Sequence, residues 1–204
     1  RNRRTGKEGQ ALKDFVHKED LAELQEKIGY TFKREAYLEQ ALTHSSYANE
    51  GHKHLRNNER LEFLGDSVLS VIVARYLFLN YKDLPEGVLT KMRASLVCEK
   101  ALDVFAGELG LGDYLRLGKG EEMTGGRQRP SIIADAFEAL LAAIYLDGGY
   151  EEAQRFVMRF IPGHIDIEKS SPLSDYKTAL QEIVQQNKEE KVSYRLVDEH
   201  GPDH

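Results

Sequence analysis

Glu59, Glu62 and Asp66 recur at spacings of three and four residues in a stretch that is otherwise strongly apolar. At 3.6 residues per helical turn they fall within an arc of roughly 60° on one face. Leu61, Leu64, Val68 and Leu69 cover the other side. Three carboxylates stacked in this way repel one another, and an acidic stripe on a helix is often no more than a solvated face. Asp135 and Glu138 form a second acidic pair at helical spacing, set among Ile132, Ile133, Ala134, Phe137, Leu140 and Leu141. Carboxylates embedded in so apolar a helix point either to salt bridges or to a cation. Two such helices facing each other would form an all-oxygen site suited to magnesium or manganese. Divalent metals in such a site lower the pKa of bound water and stabilise a leaving oxygen, which is what phosphodiester hydrolysis requires. No Ser–His or Cys–His nucleophile is needed.

Other metal chemistries find less support. No Glu has a His three residues later, the pattern of di-iron bundles. Cys pairs, His-Asp dipeptides and the His-Glu-x-x-His zinc motif are missing from the sequence. The Gly-rich segment 118–126 lacks the Gly-Lys-Ser/Thr ending of a phosphate-binding loop. It reads as a flexible connection, with Arg127 or Arg129 available to contact phosphate groups of a partner. His44, His52 and His54 read as loop surface rather than as ligands. The lone Cys98 lies in an apolar helical pattern and reads as a buried thiol of a reducing cytosol.

The elements that must position these residues read as helices. Leu21, Leu24 and Ile28 share one helical face, and Gly29 can end that helix. Leu38, Ala41 and Leu42 belong to a second helix, followed by a polar stretch over 43–57. The longest pattern runs from about 58 to 81. Pro85 suits the first turn of a fourth helix, with Asp83 as a plausible cap, running through Leu89, Met92, Leu96 and Val97. Ser131 would cap the helix that reaches Asp147 and Gly148, and a last helix spans about 151–160. Residues 20–161 thus read as one all-α domain, preceded by a basic arm over 1–19 that holds Arg1, Arg3, Arg4 and Lys7. A polar linker over 162–174 contains Pro162, Gly163 and Pro172. Beyond it, 175–186 reads as a helix, and Val192, Tyr194 and Leu196 alternate as in a strand. One helix and one strand enclose no core, so 175–204 reads as an incomplete α+β module.

The composition suits a folded domain of this size: of 204 residues, 41% are apolar and 30% charged. No run approaches the roughly 18 uninterrupted apolar residues of a membrane span, and no signal peptide is expected at Arg1–Gln10. The formal net charge of −6 argues at first sight against a nucleic-acid partner. That objection weakens if the acidic groups sit where divalent cations neutralise them.

The ten residues Asn58-Glu59-Arg60-Leu61-Glu62-Phe63-Leu64-Gly65-Asp66-Ser67 resemble, without a break, the defining motif of bacterial ribonuclease III. The resemblance continues, in order, through Pro85-Glu86-Gly87, residues 91–97, Leu115-Arg116-Leu117-Gly118 and residues 133–140. It implies an all-α endonuclease domain of the ribonuclease III fold, followed by the start of a double-stranded-RNA-binding domain. It further implies a cytoplasmic homodimer that cuts double-stranded RNA with Mg²⁺ (Mn²⁺ able to substitute), leaving 5′ phosphates and short 3′ overhangs. Processing of rRNA and processing or decay of mRNA are the expected roles. Carried over residue by residue, Glu62, Asp66, Asp135 and Glu138 would be metal ligands. Glu59 and Glu86 match the remaining two acidic positions of the catalytic valley. Phe63 matches an aromatic residue inserted into the partner subunit. In the C-terminal module, Thr178, Gln181, Glu182, Gln185 and His204 match positions that face minor grooves of RNA, where ribose hydroxyls distinguish it from DNA. The basic second helix of such a module is not in the sequence. Two other classes compete: a non-catalytic RNA-binding protein on the same fold, which would have lost a ligand, and a helical metal enzyme for small phosphorylated molecules.

Overall fold

The computed structural model describes residues 18–50 and 55–165, and among these every regular element is helical. In chain order they are α1 (Lys18–Ile28), α2 (Glu35–Ala41), α3 (Ser45–Asn49), α4 (Glu59–Asn80), α5 (Glu86–Leu96), α6 (Glu99–Leu109), α7 (Lys119–Met123), α8 (Pro130–Gly148) and α9 (Tyr150–Val157). Short 3₁₀ turns at Leu111–Tyr114, Gly126–Gln128 and Ile161–His164 complete the path. The all-α expectation holds for the described residues. The expected helix over 175–186 and strand over 192–197 lie outside the described residues, as does the N-terminal arm.

The fold is organised around α8. Residues Ile132–Ala134, Ala136, Phe137 and Ala139–Ile144 are all buried, so this helix is apolar on nearly every side, as a central helix must be. It packs most extensively against α4, and also against α6, α9 and α2. Around Phe137, near its middle, Phe105, Phe156 and Phe160 complete an aromatic cluster, with ring centroids 5.3 Å apart for Phe137–Phe156 and 5.4 Å for Phe105–Phe160. At its C-terminal end Asp147 is locked in place. Its side chain is 1% exposed and accepts hydrogen bonds from the Tyr30 hydroxyl (2.8 Å), the Lys33 N–H (2.7 Å) and the Arg34 N–H (3.1 Å).

Several local expectations are corrected. Gly29 does end α1, at φ +73°, in the left-handed region that glycine tolerates. Asp83, however, is not the cap of α5: that helix starts at Glu86 with Pro85 as its flanking residue. Ser131 does not cap α8, because Pro130 already occupies its first turn. The stretch 43–57, read as polar and irregular, contains α3, and α6 lies in a region to which the sequence reading assigns no element. Cys98 is exposed at the start of α6, its Sγ 3.4 Å from the Ser95 carbonyl. The chain turns sharply there between α5 and α6, so the thiol leaves the apolar face that its sequence neighbours share.

Candidate metal centre

The two acid-bearing helices meet where α4 has no side chain. A Cβ built on Gly65 would stand 1.9 Å from the carbonyl oxygen of Glu138 and 2.5 Å from its carbonyl carbon. Only glycine permits so close a crossing. Glu62, one turn before Gly65, is thereby carried alongside Glu138, and Asp135 lies one turn earlier on α8. Carboxylate oxygens of Glu62, Asp135 and Glu138 lie within 4.8 Å of one another. Between positions 131 and 144 only Ser131, Asp135 and Glu138 escape full burial.

These carboxyl groups disfavour ionisation in one another's company. Burial pushes Glu138 up to about 8, with the charges of Asp66, Glu62 and Asp135 adding to the effect. Glu62 is raised by burial and by Asp135, Glu59 and Asp66. Asp135 is raised by burial and by Glu99, with His44 acting in the opposite direction. Among the described residues no Lys or Arg forms an ion pair with Glu59, Glu62, Asp66, Asp135 or Glu138. The salt-bridge alternative is thus not realised. A half-buried cluster of uncompensated carboxylate oxygens fits a hard divalent cation.

The remaining residues proposed from the sequence fall in different places. Asp66 is exposed one turn beyond Glu62; it acts electrostatically on Glu62 and Glu138 but stands outside the three-carboxylate group. Glu59, also exposed, acts on Glu62. Glu86 is elsewhere: it accepts a hydrogen bond from the Thr90 hydroxyl at 2.6 Å and lines a groove with Ala74, Arg75 and Phe78. Ala74 is twelve residues past Glu62, about 18 Å along α4 at 1.5 Å per residue. Phe63 is 79% exposed. Thr178, Gln181, Glu182, Gln185 and His204 lie outside the described residues.

Two groups beside the cluster were not proposed from the sequence. His44 is half-buried at the start of α3, and its ring accepts a hydrogen bond from the Ser46 N–H, so it is not loop surface. Glu99 opens α6 and adds negative charge near Asp135. The only local signal for His44 was Ser46 two residues on, a side-chain–backbone capping pattern. For Glu99 there was none.

Segment 118–128 is built as a structural knot rather than a flexible connection. Arg127 donates from Nη1 to the carbonyls of Gly112 (3.1 Å), Asp113 (3.2 Å) and Leu115 (2.7 Å), and from Nε to Glu122 (2.7 Å). Arg129 pairs with Glu121 and donates to Thr124. Both guanidinium groups are engaged within the protein, which removes the support for their reaching RNA.

The comparisons with known proteins agree on one family. Residues 34–165 match the family model described as ribonuclease-III-like. The protein named ribonuclease 3 from Oceanobacillus iheyensis is 51% identical over 186 residues, covering 91% of this chain and 82% of that one. Ribonuclease 3 from Caldanaerobacter subterraneus subsp. tengcongensis is 54% identical over 185 residues, covering 90% and 81%. A crystal structure of the nuclease domain of ribonuclease III from Campylobacter jejuni superposes with a TM-score of 0.66 at 41% identity, covering 72% of this chain and 99% of that one. A second structure of that domain, described for structural flexibility in a region involved in dimer formation, superposes equally well, at TM-score 0.66 over 71% of this chain. With the ten-residue motif on α4 and its carboxylates set against those of α8, the chain belongs to the ribonuclease III family of endoribonucleases.

Proposed function

We propose that this protein hydrolyses phosphodiester bonds in double-stranded RNA with the help of divalent cations. The observation that carries the reading is the group formed by Glu62, Asp135 and Glu138, whose oxygens lie within 4.8 Å of one another, with no Lys or Arg ion-paired to them among the described residues. These three, with Asp66 completing the set, would hold Mg²⁺, and Mn²⁺ in its place, through hard carboxylate oxygens. The cation supplies an activated water and charge stabilisation at the leaving oxygen. The protein's part is to hold the ligands rigidly on two packed helices and to leave one side open to the duplex. Glu59 lines the approach to the centre rather than the ion, whereas Glu86 belongs to a separate groove of the same subunit. Products with 5′ phosphates and short 3′ overhangs, and action on rRNA and mRNA in the cytoplasm, follow from the family resemblance.

The homodimer belongs to the same proposal. Phe63 is exposed on α4, and its chain neighbours Leu61 and Leu64 line an open groove of about 760 Å³ with Tyr37, Leu55, Leu146, Arg56 and Arg60. An aromatic ring of a second copy suits the apolar part of that lining, and a two-fold axis would repeat the contact. Thr178, Gln181, Glu182, Gln185 and His204 are proposed to meet minor grooves of the same duplex. The described residues contain no helix long and apolar enough to cross a membrane.

A long RNA duplex incubated with the protein and Mg²⁺ tests the reading. Short duplex fragments are expected, with no cutting in EDTA and none of the single strands. The Glu138→Gln protein should bind the duplex and leave it whole. A duplex that is retarded in a gel but uncut in Mg²⁺ would show a binding module instead. Turnover of small phosphorylated molecules with the duplex left intact would show the third class.

A further inference from the structure

The imidazole of His44 is held by a directional hydrogen-bond chain that starts at the Gly118 N–H and ends at Nδ1. The Gly118 N–H can only donate, and it donates to the Ser46 hydroxyl oxygen at 2.8 Å. That hydroxyl lies 2.8 Å from His44 Nδ1, so its hydrogen is free to point at the ring. The Ser46 N–H also donates to Nδ1, at 3.3 Å. With Nδ1 committed as an acceptor, the ring hydrogen resides on Nε2. Among the described residues no protein acceptor meets Nε2, although His44 is half-buried.

The segment carrying His44 is fixed on both sides. Thr43 bridges to Arg116; the His44 N–H donates to the Arg116 carbonyl at 3.1 Å, and the Thr43 carbonyl accepts from the Asn58 N–H at 2.9 Å. Asn58 immediately precedes α4, and its own carbonyl accepts from the Glu62 N–H at 2.9 Å. The ring therefore stands at the foot of the helix that carries Glu62, within electrostatic reach of Asp135 but without a direct hydrogen bond to it. Gly118 is part of the same fastening, since a Cβ there would come within 2.8 Å of the Ser46 carbonyl oxygen.

We propose that His44 is a positioning residue for the metal centre, its Nε2–H holding the Asp135 carboxylate through one intervening water. This rests on the reading of Asp135 as a metal ligand. Groups that orient ligating side chains typically change metal affinity 10–100-fold when removed.

Binding of Mn²⁺ to the RNA-free protein, followed by the electron paramagnetic resonance of the free ion, tests the proposal without relying on activity. His44→Asn keeps an acceptor for the Ser46 N–H, because Asn is among the best N-cap residues, but removes the donor at the Nε2 position. Its melting temperature should match the unaltered protein, while Mn²⁺ affinity falls about 10-fold or more. The Mg²⁺ concentration for half-maximal cleavage should rise in step, with excess Mg²⁺ restoring turnover. Ser46→Ala leaves the ring but frees its orientation, so a smaller loss of Mn²⁺ affinity is expected, and this variant decides the question if His44→Asn does not fold. Unchanged Mn²⁺ affinity in folded His44→Asn overturns the proposal, whereas unchanged affinity in Glu138→Gln overturns the metal reading beneath it. Failure of the unaltered protein to bind Mn²⁺ overturns both.

Discussion

Replacing Glu138 by Gln should stabilise the metal-free protein while abolishing cleavage. In the unfolded chain this carboxyl titrates near its ordinary 4.5; in the folded state burial and the charges of Asp66, Glu62 and Asp135 push it to about 8. A group whose folded pKa is raised in this way carries a penalty when ionised. The penalty is absent below pH 4.5, grows as the pH climbs towards 8, and is constant above that. Each pH unit is worth about 1.4 kcal/mol, giving an upper limit of roughly 5 kcal/mol. Glu138 keeps some access to solvent, and screening leaves about 2 kcal/mol of that. Gln has nearly the same shape and no charge. In EDTA at pH 9 the Glu138→Gln protein should therefore melt about 4–8 °C above the unaltered one, at 2–4 °C per kcal/mol for a domain of this size. At pH 5 the advantage should shrink to about 1–2 °C, because little of the penalty remains. Mg²⁺ should reverse the order at pH 9, raising the melting point of the unaltered protein and leaving the variant where it was. An equal shift at both pH values, or none at pH 9, would refute the claim that crowded, uncompensated charge is what makes this site want a cation.

Gly65→Ala should cost about 3 kcal/mol or more in urea unfolding, because its Cβ would meet the Glu138 carbonyl 1.9 Å away and force α4 and α8 apart. Mn²⁺ binding should weaken along with it, and a variant of normal stability would argue against so tight a crossing. Arg127→Met strips donors from the Gly112, Asp113 and Leu115 carbonyls and should cost about 3 kcal/mol, with the salt dependence of duplex binding unchanged; a shallower salt slope would return Arg127 to the RNA-contacting set. Asp147→Asn should cost about 2 kcal/mol at pH 7. Although burial opposes ionisation, hydrogen bonds from Tyr30, Lys33 and Arg34 hold the Asp147 carboxyl below its ordinary 3.8. Its contribution is present above that pH and lost as pH falls through the folded value, so the deficit measured in thermal melts should shrink on acidification below 3.8.

The sequence shows the acids of the centre plainly, because each interrupts an apolar helical pattern. What it does not show is their mutual placement. Glu62, Asp66 and Glu86 are equivalent as letters in a motif, yet Glu62 reaches the α8 carboxylates, Asp66 stands one turn beyond it outside the close group, and Glu86 faces a different groove. That sorting depends on where α4 crosses α8, which periodicity cannot locate; only Gly65 hints at it. His44 reads as surface because its burial comes from 116–118 and the foot of α4, contacts remote in sequence. Cys98 misled for the opposite reason: its neighbours continue an apolar period that the turn between α5 and α6 breaks. Arg127 and Arg129 illustrate the ambiguity of a cation in a glycine-rich segment, where backbone carbonyls compete with phosphate for the same donors.

The placement of Asp135 and Glu138 on the most buried helix has a consequence for which ions the site will accept. A loop-mounted site can widen or narrow around its guest. Here two of the proposed ligands ride on α8, whose other residues from Ile132 to Ile144 are buried, and Glu62 faces them across a gap fixed by a glycine. Opening that gap means unpacking the middle of the molecule. The ionic radius that fits is thus dictated by the spacing of two helix axes more than by the flexibility of three side chains. Mg²⁺ demands short, near-octahedral bonds, whereas Ca²⁺ wants more oxygens at longer range. An aperture of this kind would discriminate between them by geometry, and local breathing of the chain would do little to relax the choice.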